Sequence, residues 1–237
     1  MKSKVYFVAV KDIGNVPASL RQLDLLIKKS NVLADLRAGW KVAVKTHFGE
    51  EGNVGFVKPP FVRAIGDAVK GRGAVGFLSD ANTLYRGRRL NSRDHVTLAA
   101  EHGFTRDSVG MDIVVPDCSQ KENTVDIPLH LTHVPSAKVA RVYTDADALV
   151  VITHFKGHAL SGFGGSIKNV GMGCATRAGK LAQHCDVAPI ISVEKCMGCG
   201  ECVAICPVNA LTLVDGKSTL DKNRCIGCAS CIAVCPT

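Results

Sequence analysis

Cysteines in two copies of one spacing are the residues of this chain best suited to chemistry. Eight of its eleven cysteines lie near the C-terminus in two runs of the pattern C-x2-C-x2-C-x3-C-P. In a chain without an export signal, this pattern indicates metal binding rather than disulfides. The first run contains Cys196, Cys199, Cys202 and Cys206, and the second contains Cys225, Cys228, Cys231 and Cys235.

Two such runs are typical of bacterial ferredoxins with two [4Fe–4S] clusters, in which each fourth cysteine ligates the other cluster. We therefore predict one cluster on Cys196, Cys199, Cys202 and Cys235, and the other on Cys225, Cys228, Cys231 and Cys206. Glycines between the cysteines let backbone amides approach the sulfurs. Zinc is the alternative, since C-x2-C pairs also bind zinc, but two complete runs favour iron–sulfur clusters.

The two runs are followed by different sequences. VNALTLVDG follows Pro207 and predicts a strand and a turn, whereas only Thr237 follows Pro236. The matching strand is therefore missing, and we expect the chain to be a truncated piece of a longer protein. We assign residues 190–237 to a small α+β ferredoxin-like domain with two [4Fe–4S] clusters, and residues 1–189 to a preceding domain.

Apolar runs alternate with amphipathic stretches through residues 1–189, which predicts an α/β domain with a largely parallel sheet. The predicted strands are Val5–Val10, Lys41–Lys45, Ala74–Leu78, Ile113–Val115, Val139–Tyr143 and Ala148–Thr153. The predicted helices are Ala18–Lys29, Phe61–Lys70 and Ser92–His102. Because sites in such sheets gather at the carboxyl ends of strands, polar residues directly after strands are the candidates.

Two of these strands are followed by acidic and imidazole side chains. His47 and Glu50 follow the second strand, and they form either a metal-ligand pair or a hydrogen-bonded strand-end cap. Asp80 and Asn82 follow the third strand. Asp80 is a candidate site residue, and a salt bridge to Arg86 without a chemical role is the alternative.

Residues 153–180 are dense in glycine and contain His154, His158 and Lys168. A backbone held close to a ligand would explain this density, and a flexible surface loop is the alternative. The two histidines have metal-ligand spacing if the segment is helical, and either could serve as an acid or base. Lys168 follows the Gly164–Ser166 turn, whose amides would bind a carboxylate or phosphate; an ordinary solvated lysine is the alternative.

Four other residues are weaker candidates. Cys174 lies in the glycine-rich segment and is a candidate reactive thiol or metal ligand, whereas Cys118 is expected to be a loop thiol. His130 and His133 follow a strand-like VDI and could place a histidine in the site.

Taken together, the motifs resemble one known family. KTHFGEEGN, HFKGHALSGFGGSIKN, GMG and RAGK, followed by a ferredoxin pair, are similar to the iron–sulfur proteins of the domain of unknown function 362. The resemblance covers essentially the whole chain and implies an α/β domain with a ferredoxin unit and no settled reaction. In the members that it resembles, the α/β domain resumes after the ferredoxin unit.

A weaker, local resemblance is to the nickel-pincer lactate racemases. The order and spacing of their cofactor-binding stretch are matched by His158, Gly162, Phe163, Gly165 and Lys168. This resemblance implies acid/base catalysis for His158 and anchoring of the cofactor's acyl group for Lys168. Because the match is short, it suggests shared ancestry more than a shared reaction.

The net charge and the hydropathy of the chain limit the classes of partner that it can bind. The formal charge is +8, and the excess lies in residues 1–189, because four basic and four acidic residues balance in residues 190–237. A basic surface suits nucleic acid or an anionic substrate, but aromatic interleaving and nucleic-acid-binding motifs are lacking, so we expect no nucleic-acid partner. No apolar run approaches the roughly 18 residues of a membrane span, so we expect a cytoplasmic protein without a membrane partner.

The sequence thus predicts an iron–sulfur oxidoreductase whose clusters deliver electrons to a reaction or ligand site in the α/β domain. The candidate site residues are His47, Asp80, His154, His158 and Lys168. The expected partner is a redox protein or a small-molecule substrate, with anions among the candidates. The alternatives are a stand-alone electron carrier, a non-redox racemase-like enzyme with structural or regulatory clusters, and a binding protein for an anionic ligand.

Overall fold

The computed structural model of the chain describes residues 4–12, 14–85, 87–118, 121–132, 134–158, 161–184, 188–206, 208–225 and 230–237. In chain order, its elements are α1 (Val16–Ser30), β1 (Lys41–Lys45), α2 (Pro59–Gly71), β2 (Val75–Ser79), α3 (Ser92–Glu101), α4 (Arg106–Val109), β3 (Asp112–Val114), β4 (Thr124–Pro128), β5 (Ser136–Ala140), α5 (Arg141–Thr144), β6 (Ala148–Val151), β7 (Lys156–His158), β8 (Gly162–Gly164), α6 (Ser166–Gly171), α7 (Arg177–His184), α8 (Glu201–Ile205), β9 (Leu211–Val214), β10 (Lys217–Leu220) and α9 (Ser230–Val234).

Four parallel strands form the central sheet in the order β3-β2-β1-β6, which confirms the predicted α/β architecture. The chain runs from β1 through β2 to β3 in one direction and then returns to the other side of β1. The strand order therefore reverses between β1 and β6. In open parallel sheets, ligands bind outside the carboxyl ends of the strands at such a point.

The apolar strand sequences fill a core on each face of the sheet, because successive side chains of a strand point to opposite faces. Burial on both faces explains why these strands are continuous apolar runs rather than alternating ones. The larger core includes Val42, Val44, Val62, Val69, Leu78 and Phe104. The smaller core includes Ala43, Phe77, Ala81, Ala140 and Tyr143.

Local capping residues determine where two of the predicted helices begin. The Asn15 side chain accepts a hydrogen bond from the Ala18 amide at 3.1 Å and caps α1, and Asn31 ends this helix in the left-handed conformation. The Asn91 side chain accepts from the Asp94 amide at 2.9 Å and caps α3. Side-chain caps of this kind satisfy amides that lack a partner within the helix. All three predicted helices are confirmed.

Two strand predictions are wrong. Residues 5–10 belong to no strand, and Val5 and Phe7 are exposed. An apolar alternating segment becomes a strand only when a sheet edge pairs with it, and no described strand does so here. The run Val139–Tyr143 is divided, because β5 ends at Ala140 and pairs antiparallel with β4, while Arg141–Thr144 forms the short helix α5.

The C-terminal segment contains an antiparallel hairpin of β9 and β10. Asp215 and Gly216 connect its strands with positive φ angles of 50° and 70°, as expected for an Asp-Gly hairpin turn. Helix α8 packs against α9. The strand and turn predicted after Pro207 are confirmed, while the division of the chain at residue 189 stays a prediction.

Within the described part of the chain, no helix combines the length and apolar character needed to cross a membrane.

Candidate functional sites

Polar side chains meet where the parallel strands end, on a surface that we call the carboxyl edge (Lys45, His47, Asp80, Arg89 and Asn169). Lys45 is the last residue of β1, and Asp80 directly follows β2. His47 and Arg89 lie in the connections after β1 and β2, and Asn169 lies on α6. The topology thus joins residues that lie 35 and 124 positions apart in the chain.

Asp80 lies at the centre of the carboxyl edge. Its carboxylate accepts a hydrogen bond from the Lys45 ammonium at 2.7 Å and from the Arg89 guanidinium at 2.8 Å, and all three side chains are buried. Burial raises the pKa of Asp80, but the charges of Lys45 and Arg89 outweigh it and hold the pKa well below its usual value. Asp80 is therefore ionised, and removing it would leave two buried cations without their partner.

Arg89 extends this network toward the protein surface. Its guanidinium contacts His47 Nε2 at 3.0 Å and forms an ion pair with Glu50. His47 Nδ1 accepts a hydrogen bond from the Gly49 amide at 2.8 Å, so its contacts are those of the predicted strand-end cap. Burial, followed by the charge of Arg89, lowers the pKa of His47 to about 2, so this imidazole is neutral at physiological pH.

Asn169 connects the glycine-rich segment to the carboxyl edge. Its Oδ1 accepts from Lys45 at 2.8 Å, and its Nδ2 donates to the Ile152 carbonyl at 3.1 Å and to the Thr153 hydroxyl at 3.0 Å. A Cβ atom at Gly173 would lie 2.0 Å from the Asn169 carbonyl oxygen. Part of the glycine density thus reflects the chain packing on itself rather than around a ligand.

The hairpin of β7 and β8 presents two different faces. Lys156 and His158 lie on one face, because side chains alternate along a strand, whereas Phe163 projects from the other. The Lys168 stem lies 3.6 Å from the Cβ position of Gly164, which pairs with Lys156. Lys156, His158 and Lys168 therefore share one face of the hairpin, which we call the lysine face.

The lysine face lies beside the carboxyl edge. Lys156 is close enough for its charge to lower the pKa of His47, after burial and Arg89. Burial lowers the pKa of Lys168. Burial also lowers the pKa of His158, with smaller contributions from the charges of Lys168 and Lys156.

His154 does not join His158 in a helical pair. Residues 154–158 form a loop and a strand, so the spacing that would make the two histidines neighbours on a helix does not apply. His154 is exposed and lies near Gly55. Nowhere in the described residues do three His, Cys, Asp or Glu side chains form a group that could hold a single metal ion.

The C-terminal segment encloses a cavity of about 240 Å³. Its lining includes the whole predicted ligand set of one cluster, Cys196, Cys199, Cys202 and Cys235, as well as Cys231. The second run thus supplies cysteines to a cavity that the first run begins, as crossed ligation requires.

The backbone around this cavity fits a bound cluster. A Cβ atom at Gly198 would lie 2.2 Å from the Gly216 carbonyl oxygen, and the φ angle of Gly198 is +73°, so only glycine fits there. The Ser218 amide donates to the Cys196 sulfur at 3.4 Å. Hydrogen bonds from Ser218 and Gly198 lower the pKa of Cys196, and those to Thr237 lower the pKa of Cys235. Both shifts favour the thiolate, which is the form that binds iron.

The second predicted ligand set is described only in part. The Cys206 sulfur accepts a hydrogen bond from the Ala210 amide at 3.2 Å, and the packing of α8 on α9 joins the segments that carry the two runs. Cys228 lies outside the described residues, so this set stays a prediction.

The remaining sequence candidates show no sign of reactivity. Cys118 and Cys174 are both buried, and burial raises the pKa of each thiol, which disfavours a reactive thiolate at Cys174. His130 is exposed, and His133 lies outside the described residues.

Four residues of these surfaces were missed by the sequence analysis: Lys45, Arg89, Lys156 and Asn169. Arg86, the partner suggested for Asp80, lies outside the described residues, and Asp80 pairs with Lys45 and Arg89. The available signal was Lys45 at the end of the strand KVAVK, because a charge in a buried strand needs a partner.

Comparisons with known proteins first show which kind of domain the C-terminal segment forms. Residues 222–237 match the model of a 4Fe-4S binding domain. A stretch of 29 residues is 52% identical to Ferredoxin-2 of Desulfomicrobium norvegicum and covers 12% of this chain and 49% of that ferredoxin. The chain therefore spans about half the length of this relative. Together the two matches show that this chain is an iron–sulfur protein that binds [4Fe–4S].

Residues 42–229 match the model of the family described as domain of unknown function DUF362. Since this match covers most of the chain, the protein belongs to that family. No solved structure matches the chain. The resemblance to the lactate racemases stays a hypothesis.

Proposed function

We propose that this protein binds two [4Fe–4S] clusters and passes electrons from them to a small molecule or redox partner at the carboxyl edge. Bound clusters would supply one-electron transfer at a potential tuned by hydrogen bonds to sulfur and by burial. The observation that carries the proposal is the cavity in which Cys235 of the second run meets Cys196, Cys199 and Cys202 of the first.

Two features favour the carboxyl edge as the reaction or ligand site. It lies where the strand order reverses between β1 and β6, which is the usual ligand position in open parallel sheets. Its buried charges are also held by fixed partners, because Asp80 orients Lys45 and Arg89, and Asn169 ties Lys45 to the residues after β6. A polar centre of this rigidity is pre-organised for binding.

Metal analysis of the full chain, purified without oxygen, tests the first half of the proposal. We expect about eight irons with equal acid-labile sulfide, as two cubane clusters require. A folded protein with about four irons would reduce the proposal to one cluster, and one that holds zinc without iron would contradict it.

Electron delivery is tested by reducing the clusters chemically and following their reoxidation by an anaerobic extract of small metabolites. We expect His158→Gln and Lys168→Gln to slow reoxidation while iron content stays unchanged. Unchanged rates in both variants would instead favour a stand-alone electron carrier.

A further inference from the structure

The positive charges around the carboxyl edge exceed the negative ones. Its two buried cations are matched by two carboxylates, Asp80 and Glu50. In the described residues, neither Lys156 nor Lys168 forms an ion pair with a carboxylate, and Asp80 and Glu50 are already paired with Lys45 and Arg89. The lysine face therefore carries an excess of positive charge beside a positively charged centre.

These two lysines are not ordinary solvated side chains. Both are only half-exposed, and burial is the first cause that lowers the pKa of each. The hairpin register and the contact of Lys168 with Gly164 direct both toward the same side. After burial, the charges of Lys168 and Lys156 both lower the pKa of His158, so the three side chains lie near one another. A bound anion would offset these charges, which are partly removed from water.

We propose that the lysine face binds an oxyanion, a carboxylate or phosphate group of the molecule that receives electrons, between Lys156 and Lys168 with His158 beside it. Each ammonium group would donate a charge-assisted hydrogen bond to the oxyanion. That the molecule carrying this oxyanion receives electrons rests on the proposed function. Binding of the oxyanion to the lysine face does not.

Calorimetric titration of the cluster-loaded full chain at low ionic strength tests the binding, with inorganic phosphate and succinate as probes. We expect binding of at least one probe and a loss of roughly tenfold in affinity for each of Lys156→Gln and Lys168→Gln, since a charge-assisted hydrogen bond is lost in each. Lys70→Gln, at an exposed position in the last turn of α2, is the matched control and keeps the wild-type affinity.

The outcome for the two probes identifies the source of the oxyanion. Phosphate binding alone indicates a phosphate ester, and succinate binding alone indicates a carboxylate. The proposal is overturned if neither probe binds the wild type, or if both lysine variants bind as tightly as the wild type.

A second measurement on the wild type covers the case in which a variant fails to fold. In an NMR titration of the His158 ring, saturating probe is expected to raise its pKa, because a bound anion offsets the two lysine charges. An unchanged His158 titration overturns the proposal. If the probe binds but the clusters reoxidise at the same rate in every variant, the anion site stands and electron delivery to it fails.

Discussion

The two polar regions of this protein are assembled over very different distances along the chain. In the C-terminal cavity, three of the predicted ligand cysteines are separated from one another by only two residues, and a second copy of the same motif supplies Cys235. At the carboxyl edge, Lys45 meets partners 35 and 124 residues away. A motif in the sequence can therefore describe most of the first region and little of the second, which exists only after the sheet has formed.

The regions also differ in what supports their charges. Backbone amides stabilise the cysteine sulfurs, whereas oppositely charged side chains stabilise Asp80. Changes to a cysteine should thus affect metal content, and changes at the carboxyl edge should affect folding stability.

The largest expected effect is that of Cys235→Ser. If Cys235 completes the site begun by Cys196, the variant should lose the cluster of the opposite run, and about four of about eight irons. Iron and sulfide analysis of the anaerobically purified variant measures this. Cys118→Ala, at a buried cysteine outside both runs, should keep full iron. Unchanged iron in Cys235→Ser would argue against crossed ligation.

Asp80→Asn should destabilise the α/β domain by about 3–5 kcal/mol, because Lys45 stays buried without a carboxylate partner and Arg89 keeps Glu50 alone. Urea unfolding, followed by circular dichroism, gives the free energy of unfolding. The matched control is Asp67→Asn, whose partner Arg63 is exposed, and it should change stability by less than about 1 kcal/mol. Equal effects of the two variants would show that the buried ion pairs of Asp80 stabilise the fold no more than an exposed pair.

Gly198→Ala should destabilise the C-terminal segment by about 1–3 kcal/mol, because the added Cβ would collide with the Gly216 carbonyl at a positive φ angle. Faster release of iron to a chelator provides the readout. Gly71→Ala, where a Cβ would meet nothing within 4 Å, should release iron at the wild-type rate. Wild-type release by Gly198→Ala would show that the backbone has room to move.

The smallest effect concerns the pH dependence of stability. In the folded protein the pKa of His47 is lowered from its ordinary 6.5 to about 2. Its contribution to stability is therefore present above pH 6.5 and is lost as the pH falls, because the unfolded chain takes up the proton first. When the pH is lowered from roughly 7.5 to 5.5, the free energy of unfolding of His47→Gln should therefore fall by about 1 kcal/mol less than that of the wild type. An identical pH profile for His47→Gln would contradict a neutral, half-buried imidazole.

Much of the sheet was predictable, because the strands of a parallel sheet are apolar runs between amphipathic helices. The strand Lys41–Lys45 was predicted with its observed bounds. The failure at Val5–Val10 has a physical reason, since an apolar alternating run does not reveal whether a partner edge exists. The division of Val139–Tyr143 was likewise hidden, because its last residues turn into the short helix α5.

The candidate site was predictable only where residues directly follow a strand. His47 and Asp80 were found in this way, whereas Arg89 and Asn169 depend on contacts between distant segments. The glycine-rich segment was correctly identified as unusual, but the sequence could not distinguish a glycine that admits a ligand from Gly173, which admits the chain's own carbonyl.

The position of Cys235 in the C-terminal cavity affects the order in which this protein can mature. The ribosome synthesises Cys196, Cys199 and Cys202 before Cys235. The hairpin of β9 and β10 and most of the second run are synthesised in between. A nascent chain therefore exposes these three thiols before Cys235 leaves the ribosome. With Cys235 as the proposed fourth ligand, stable iron insertion there would follow the emergence of the second run, so cluster loading would be coupled to the end of this segment's synthesis rather than to its beginning.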